Sequence, residues 1–149
     1  MRHITLRNFC ADDCGFLAAH FRPGMRKSEA MALVDEWGQK RYRGAYFEMF
    51  AIVCDHAPVG WISLYDKHGD STVGIGFEVI ESEQRKGYCY QAVQLAFAYA
   101  KSLGYTAVIS QVRKNNAASL RLHEKCGFAV TGECVTSRGN EAVWLRKEI

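Results

Sequence analysis

The sequence predicts an α+β protein: a mixed, twisted sheet of six or seven strands flanked by about four helices. Val73, Ile75, Phe77 and Val79 alternate with smaller or polar residues, the period of a strand. Cys89, Val93, Ala96, Phe97, Ala100 and Leu103 then recur at three- and four-residue steps, the period of a helix. Residues 106–112 are rich in β-branched side chains. A strand, a helix of about four turns and another strand imply a right-handed crossover, with strands 72–80 and 106–112 as parallel neighbours.

The other elements follow in order. Ile4 and Leu6 mark a short first strand, and Ala11-Asp12-Asp13 offers capping side chains for a helix carrying Phe16, Leu17, His20 and Phe21. Arg22-Pro23-Gly24 stops it. Ser28 is placed to cap a second helix with Met31, Val34, Trp37 and Arg41 on one face, and Gly44 ends that segment. Residues 46–54 and 59–65 read as strands, joined by Asp55-His56-Ala57-Pro58 into an antiparallel hairpin. After a turn at 66–71 comes the central strand, and Gly104 is the expected left-handed cap of the central helix. Asn115 and Asn116 start a last helix that Gly127 ends, and residues 128–136 and 141–146 close the chain as a hairpin. Without linker, repeat or low-complexity tract, residues 1–149 are expected to form one domain.

Composition narrows the function classes. A chain of 149 residues buries one core and is too short for two ordinary domains. Apolar residues at 48% and charged residues at 23% place it among soluble globular proteins and away from disordered ones. A net charge of +3 is too weak to argue for nucleic acid. It suits an anionic small ligand, with Arg113, Lys114, Arg121 and Lys125 crowding one stretch, although such a cluster also describes a solvated face. The six cysteines show no Cys-x-x-Cys pair and no zinc-finger spacing, so no metal is expected. Most sit in apolar patterns as buried thiols do, which points to a reducing compartment, the cytoplasm. The first residues lack a signal-peptide core, and no apolar run approaches the ~20 residues that cross a bilayer.

The most informative stretch lies where the central strand becomes the central helix. The first turn of a helix leaves backbone N–H groups without intrahelical acceptors, and the dipole adds positive charge there. In Gln84-Arg85-Lys86-Gly87-Tyr88-Cys89, Gly87 lets an anion approach the backbone, and Arg85 and Lys86 add mobile positive charge. On these grounds alone the residues describe a solvated turn as well as a phosphate site.

Gln84-x-x-Gly87-x-Cys89 resembles the pyrophosphate loop of the GNAT acetyltransferase superfamily: Gln or Arg, two residues, Gly, one residue, then Gly or Ala. Cys89 is the departure from it. Ile75-Gly76-Phe77-Glu78-Val79 and Gly87-Tyr88-Cys89-Tyr90-Gln91-Ala92 most resemble the branch of the ribosomal-protein N-terminal acetyltransferases. Asn116-Ala117-Ala118-Ser119-Leu120-Arg121-Leu122-His123-Glu124-Lys125-Cys126-Gly127-Phe128 is similar to the second signature of the superfamily. The resemblance covers residues 72–130 well and the flanks only by pattern.

The resemblance implies a GNAT-like sheet with the cofactor at the parallel crossover, acetyl-CoA as cosubstrate, and direct attack of an amine acceptor on the thioester. Such a transfer needs the donor held in line, the amine deprotonated, the oxyanion stabilised and the thiolate protonated. The pantetheine is then expected on the backbone of Phe77, Glu78 and Val79, with the Val79 N–H facing the thioester oxygen. The pyrophosphate is expected on the N–H groups of Arg85, Lys86, Gly87, Tyr88, Cys89 and Tyr90. Asn116 would contact the pantetheine arm, orient its helix, or simply cap it. Ser119 would cap locally or touch the cofactor. His123 stands where relatives often place a tyrosine general acid, and an imidazolium suits that task near neutral pH; the alternative is a structural histidine. Glu78 is the candidate general base, against the alternative of a half-buried strand carboxylate. Gln111 stands where some relatives carry Glu, and an amide cannot take the proton.

In the resembled superfamily the region of the first two helices shapes the acceptor pocket, which makes His20, Trp37, Tyr42 and Tyr46 candidate selectors, with core packing as the alternative. Peptide α-amines, polyamines, amino acids and aminoglycosides all stay open as acceptors, and a homodimer is left open too. Neither nucleic acid nor membrane is expected as a partner. The competing reading is a non-catalytic acyl-CoA-binding or sensing module, in which His123 and Gln111 mark lost chemistry. An unrelated phosphate-binding fold is disfavoured because Gly87 is not followed by the Lys-Ser/Thr of a Walker loop.

Overall fold

The computed structural model describes residues 3–149; Met1 and Arg2, with which the expected domain begins, lie outside the described residues. Apolar alternation builds strands β1 (Ile4–Asn8), β2 (Arg41–Tyr42), β3 (Ala45–Cys54), β4 (Ala57–Tyr65), β5 (Thr72–Val79), β6 (Ala107–Arg113), β7 (Ala129–Val135) and β8 (Glu141–Glu148). They form one sheet in the order β1-β3-β4-β5-β6-β8-β7, with β2 lying against β3. The sheet therefore has eight strands rather than six or seven. The addition is the two-residue β2: Arg43 and Gly44, at φ 51° and 81°, reverse the chain so that Arg41 pairs with Tyr46. Gly44 thus makes a hairpin and does not end a helix.

The helices are α1 (Cys14–Phe16), α2 (Lys27–Gly38), α3 (Tyr88–Ser102) and α4 (Ala117–Lys125). The first predicted helix is irregular, with α1 between a 3₁₀ turn at Ala11–Asp13 and a π turn at Leu17–Phe21. Asp13 provides the expected cap, accepting from the Cys10 N–H at 2.8 Å and from Arg7 at 2.7 Å. The wide π turn brings Phe16 and Phe21 together on Trp61, with centroids at 6.3 and 5.1 Å. Ser28 does not cap α2. Arg26 holds that position, its N–H donating to Glu29 at 3.3 Å, and Ser28 lies inside the first turn. The helix ends at Gly38, which leaves Arg41 to β2.

Side-chain alternation along β3 divides the interior in two. Phe50, Ile52 and Cys54 join the core under α3 and α4, whereas Met49, Ala51 and Val53 pack with Leu17, Met25 and Ala30 on the face of α1 and α2. Ala92, Ala96 and Ala100 are fully buried, and their small side chains let α3 lie close on the sheet. Among the buried polar residues, Glu48 has the most polar partners around it. Glu48, 1% exposed, accepts from Tyr46 at 2.6 Å, Tyr99 at 2.8 Å and Asn8 at 2.9 Å, with Lys40 at 3.5 Å.

β5 and β6 are parallel, as the crossover requires, but they pair only at Thr72↔Ala107, Val73↔Val108 and Gly74↔Ile109. Beyond Gly74, β5 stays with β4 as far as Val79 and β6 stays with β8 as far as Arg113, so the sheet opens between them. Among the described residues no helix is long and apolar enough to cross a membrane.

Candidate functional site

The opening between β5 and β6 turns backbone groups toward a cleft. The Ile80 N–H donates to the Val59 carbonyl across β4 at 2.9 Å. By strand alternation the even residues of β5 direct their backbone to β4, and the odd residues Phe77 and Val79 direct theirs into the gap. Glu78 consequently contributes its side chain rather than its backbone. A cavity of about 660 Å³ begins here, bounded by Phe77, Glu78 and Val79 on the strand side.

Its far wall is the predicted phosphate turn: Gln84, Arg85, Gly87, Tyr88, Cys89 and Tyr90 all line it. Gln84 ties the turn to the strand, its side-chain amide donating to the Val79 carbonyl at 2.8 Å. Gly87 is the N-cap of α3 at φ 80°, and nothing lies within 4 Å of where a Cβ would sit, so the approach to the backbone is open. The helical ladder begins with the Gln91 N–H donating to the Gly87 carbonyl, which leaves the Cys89 and Tyr90 N–H groups ahead of it at the positive end of the dipole. Lys86 departs from the expected set. Its ammonium pairs with Glu83 at 2.9 Å and lies 6.0 Å from the Tyr88 ring centroid, so Arg85 is the cation of the wall. The Cys89 thiol is pushed up to about 12 by burial, reinforced by Cys126 and Glu78, and is no nucleophile.

A second cavity of about 250 Å³ continues the cleft and shares Phe77, Asn116 and Ser119 with the first. Asn116 caps α4, its Oδ1 accepting the Ser119 N–H at 3.2 Å, and Ser119 lines both cavities. His123 lies deeper, 2% exposed, with its ring against Phe77 at 5.1 Å and Phe128 at 4.9 Å. Nδ1 is 2.7 Å from the Ser119 carbonyl, which can only accept, so Nδ1 carries the hydrogen. Nε2 of the neutral ring then accepts from the Ser110 hydroxyl at 2.9 Å. Burial pushes the His123 pKa below its ordinary value, with the Ser119 carbonyl opposing. Both the bond to the Ser119 carbonyl and the depressed pKa favour the neutral ring near neutral pH over the imidazolium that suits a general acid.

Glu78 follows Phe77 on the strand and so projects to the opposite face from His123, where it is exposed and registers with Trp61. Trp61 leads through Phe16 and Phe21 to two of the candidate selectors. His20 lies on Phe16 at 5.0 Å and Trp37 on Phe21 at 5.3 Å. Tyr46 is not with them, because its hydroxyl serves Glu48 on the other face. Tyr42 is 53% exposed on β2, beside Phe47. Of the basic cluster only Arg113 lines the cleft, while Lys114 pairs with Glu133 at 2.9 Å and Lys125 lies over Tyr90 at 4.8 Å. Gln111 lines the smaller cavity and donates to the Cys134 sulfur at 3.3 Å.

Sequence reasoning missed Ser110. Its signal was a polar residue in the core-facing register between Val108 and Val112.

The sequence model of the acetyltransferase (GNAT) domain matches residues 3–129. An SPbeta prophage-derived uncharacterized N-acetyltransferase, YokL, of Bacillus subtilis (strain 168) is 29% identical over 100 residues, 66% of this chain and 56% of that protein. The chain thus spans little more than half of that relative. Among solved structures, the ribosomal L7/L12 α-N-protein acetyltransferase RimL in complex with coenzyme A superposes with a TM-score of 0.84 at 18% identity, covering 98% of this chain and 94% of that one. A putative acetyltransferase, yncA, of Salmonella typhimurium with acetyl-CoA gives 0.74 at 17% identity, with 98% and 94% covered. The spermidine/spermine N-acetyltransferase SpeG of Vibrio cholerae gives 0.78 at 17%, with 97% and 92% covered. With its family signature matched over most of its length and the splayed crossover in place, the chain belongs to the GNAT acetyltransferase family.

Proposed function

We propose that the protein is an acetyl-CoA-dependent N-acetyltransferase, transferring acetyl to a primary amine of a small molecule or a protein N-terminus by direct attack. The observation that carries this is the continuous cleft from the β5–β6 gap to the N-terminus of α3. It offers an extended arm the strand backbone and offers a pyrophosphate the open N-cap at Gly87. Acetyl-CoA, when bound, supplies the activated acyl group. The chain's own residues do the rest. Phe77 and Val79 hold the arm, and the Val79 N–H stabilises the oxyanion. Arg85 and the first turn of α3 hold the phosphates.

Glu78 faces the aromatic side of the sheet, where Trp61, Phe16 and Phe21 wall an approach for the acceptor. There the carboxylate takes the proton that turns an ammonium into a nucleophile. His123 handles protons on the opposite face. The amine class is supported by the substrates named for RimL and SpeG, the first an α-amine and the second a polyamine. Isothermal titration with CoA, followed by thiol release over a panel of peptide α-amines, polyamines, amino acids and aminoglycosides, tests this reading. Binding with release for at least one amine is expected. Binding without release for any amine would instead establish the non-catalytic module.

A further inference from the structure

From the hydrogen bond between Ser110 and His123, we propose that Ser110 is a catalytic residue, the hydroxyl through which His123 moves a proton from the attacking nitrogen to the departing sulfur; this rests on the acetyltransferase reading. Two observations define the pair. Ser110 is 4% exposed in a strand face otherwise given to valine, yet it lines the 250 Å³ cavity between β5 and β6 together with Phe77 and His123. Its hydroxyl donates to Nε2 at 2.9 Å, while Nδ1–H donates to the Ser119 carbonyl at 2.7 Å. A hydroxyl, a base and a group that orients the base are thus fixed in sequence, the arrangement that moves protons through a serine.

The resting tautomer decides the direction. A neutral ring with a bare Nε2 has no proton to give a thiolate, so His123 does not begin as an acid. It begins as a base. Once Glu78 has taken the first proton and the amine has attacked, the tetrahedral adduct carries N⁺–H beside the sulfur on one carbon. The N⁺–H gives its proton to Ser110 Oγ as the Ser110 hydroxyl proton passes to Nε2. The ring becomes an imidazolium, steadied by the Ser119 carbonyl on Nδ1. As the C–S bond breaks, its electron pair goes to sulfur, Nε2–H returns its proton to Oγ, and the Oγ–H proton goes to the thiolate. Nitrogen has lost one proton, sulfur has gained one, and Ser110 and His123 end as they began. The charged ring exists only while the adduct does, which suits a site where burial disfavours it.

The test is single-turnover acetylation by wild type, Ser110→Ala, Ser110→Thr and His123→Gln, each across pH 5 to 8, with CoA titration and thermal melts alongside. Ser110→Ala is expected to slow the chemical step by about 10²-fold or more while CoA affinity stays within about threefold. Ser110→Thr, which keeps a hydroxyl, should recover part of the rate. Wild type should lose rate as pH falls and the ring protonates, and that inflection should vanish in Ser110→Ala and in His123→Gln. If Ser110→Ala does not fold, the loss of rate and inflection in His123→Gln decides. An alanine variant that is as fast as wild type, or that keeps the inflection, overturns the shuttle and leaves the acetyltransferase reading intact. A wild type that binds CoA and acetylates nothing in the panel overturns both.

Discussion

Gly87 is where stability and ligand binding can be made to move in opposite directions. Its φ of 80° is a conformation that L side chains adopt at a cost of about 1–2 kcal/mol, but a Cβ there meets nothing within 4 Å. Gly87→Ala therefore adds strain without a clash, and it should lower the melting temperature while changing CoA affinity by less than about threefold. Gly87→Glu carries the same strain. Its carboxylate at the N-terminus of α3 recovers about 0.3–1 kcal/mol from the dipole, so it should melt no lower than the alanine variant.

Binding follows the reverse order. At ~5 Å from a phosphate charge, the new carboxylate repels by about 0.8 kcal/mol in water and about 3.3 kcal/mol at an effective dielectric near 20. Since a tenfold change in Kd is about 1.4 kcal/mol, this range corresponds to about fourfold to a few hundredfold weaker CoA binding, and near the surface of the helix terminus about tenfold or more is expected. Raising ionic strength from 0.1 to 1 M shortens the Debye length from about 10 to about 3 Å and should shrink the gap between the two variants. Isothermal titration at both salt concentrations, with thermal melts, checks this. A folded Gly87→Glu protein that binds CoA as tightly as wild type would refute the placement of the pyrophosphate.

Three further outcomes are expected. With Glu78 as the proposed base for the ammonium proton, Glu78→Gln should lower the acetylation rate about 10²-fold or more, with CoA affinity unchanged by titration. Glu48→Ala takes the common acceptor from the Tyr46 and Tyr99 hydroxyls and leaves Lys40 unpaired, which should cost about 3 kcal/mol or more in urea unfolding. For His123 the folded pKa is depressed, so the unfolded chain binds its proton first. Stability should then decline as pH falls from about 6.5 toward the folded value, and denaturant titrations of His123→Gln should lack that slope.

The cleft and the turn that walls it were legible because they depend on backbone and on local signals. Gly87 announces an N-cap, Gln84 sits at the spacing that lets its amide reach Val79, and the strand-helix-strand order fixes the crossover. What escaped the sequence was long-range pairing between side chains. Ser110 and His123 are 13 residues apart and Glu48 and Tyr99 are 51 apart, so no periodicity links either pair. Ser28 looked like a cap because serine usually serves as one, but the reciprocal bond from Arg26 N–H to Glu29 starts the helix earlier. The π turn was unreadable for a related reason: Phe21 at its end packs on Trp61 of β4, a contact 40 residues away in the chain.

The alternation of β5 explains why cofactor and acceptor differ so much in legibility. An odd residue, Phe77, turns its ring toward His123 and its backbone into the gap, while the next residue, Glu78, turns its carboxylate to the far face beside Trp61. One strand thus presents two different environments on its opposite sides, and a one-residue slip would exchange them. On the His123 side the partners are a backbone gap and a helix terminus, which many sequences can build. On the Glu78 side they are Trp61, Phe16, Phe21, Trp37 and His20, packed ring on ring. If the amine is selected at this wall, as proposed, changes at Trp61 should alter KM for the acceptor while leaving the affinity for CoA unchanged.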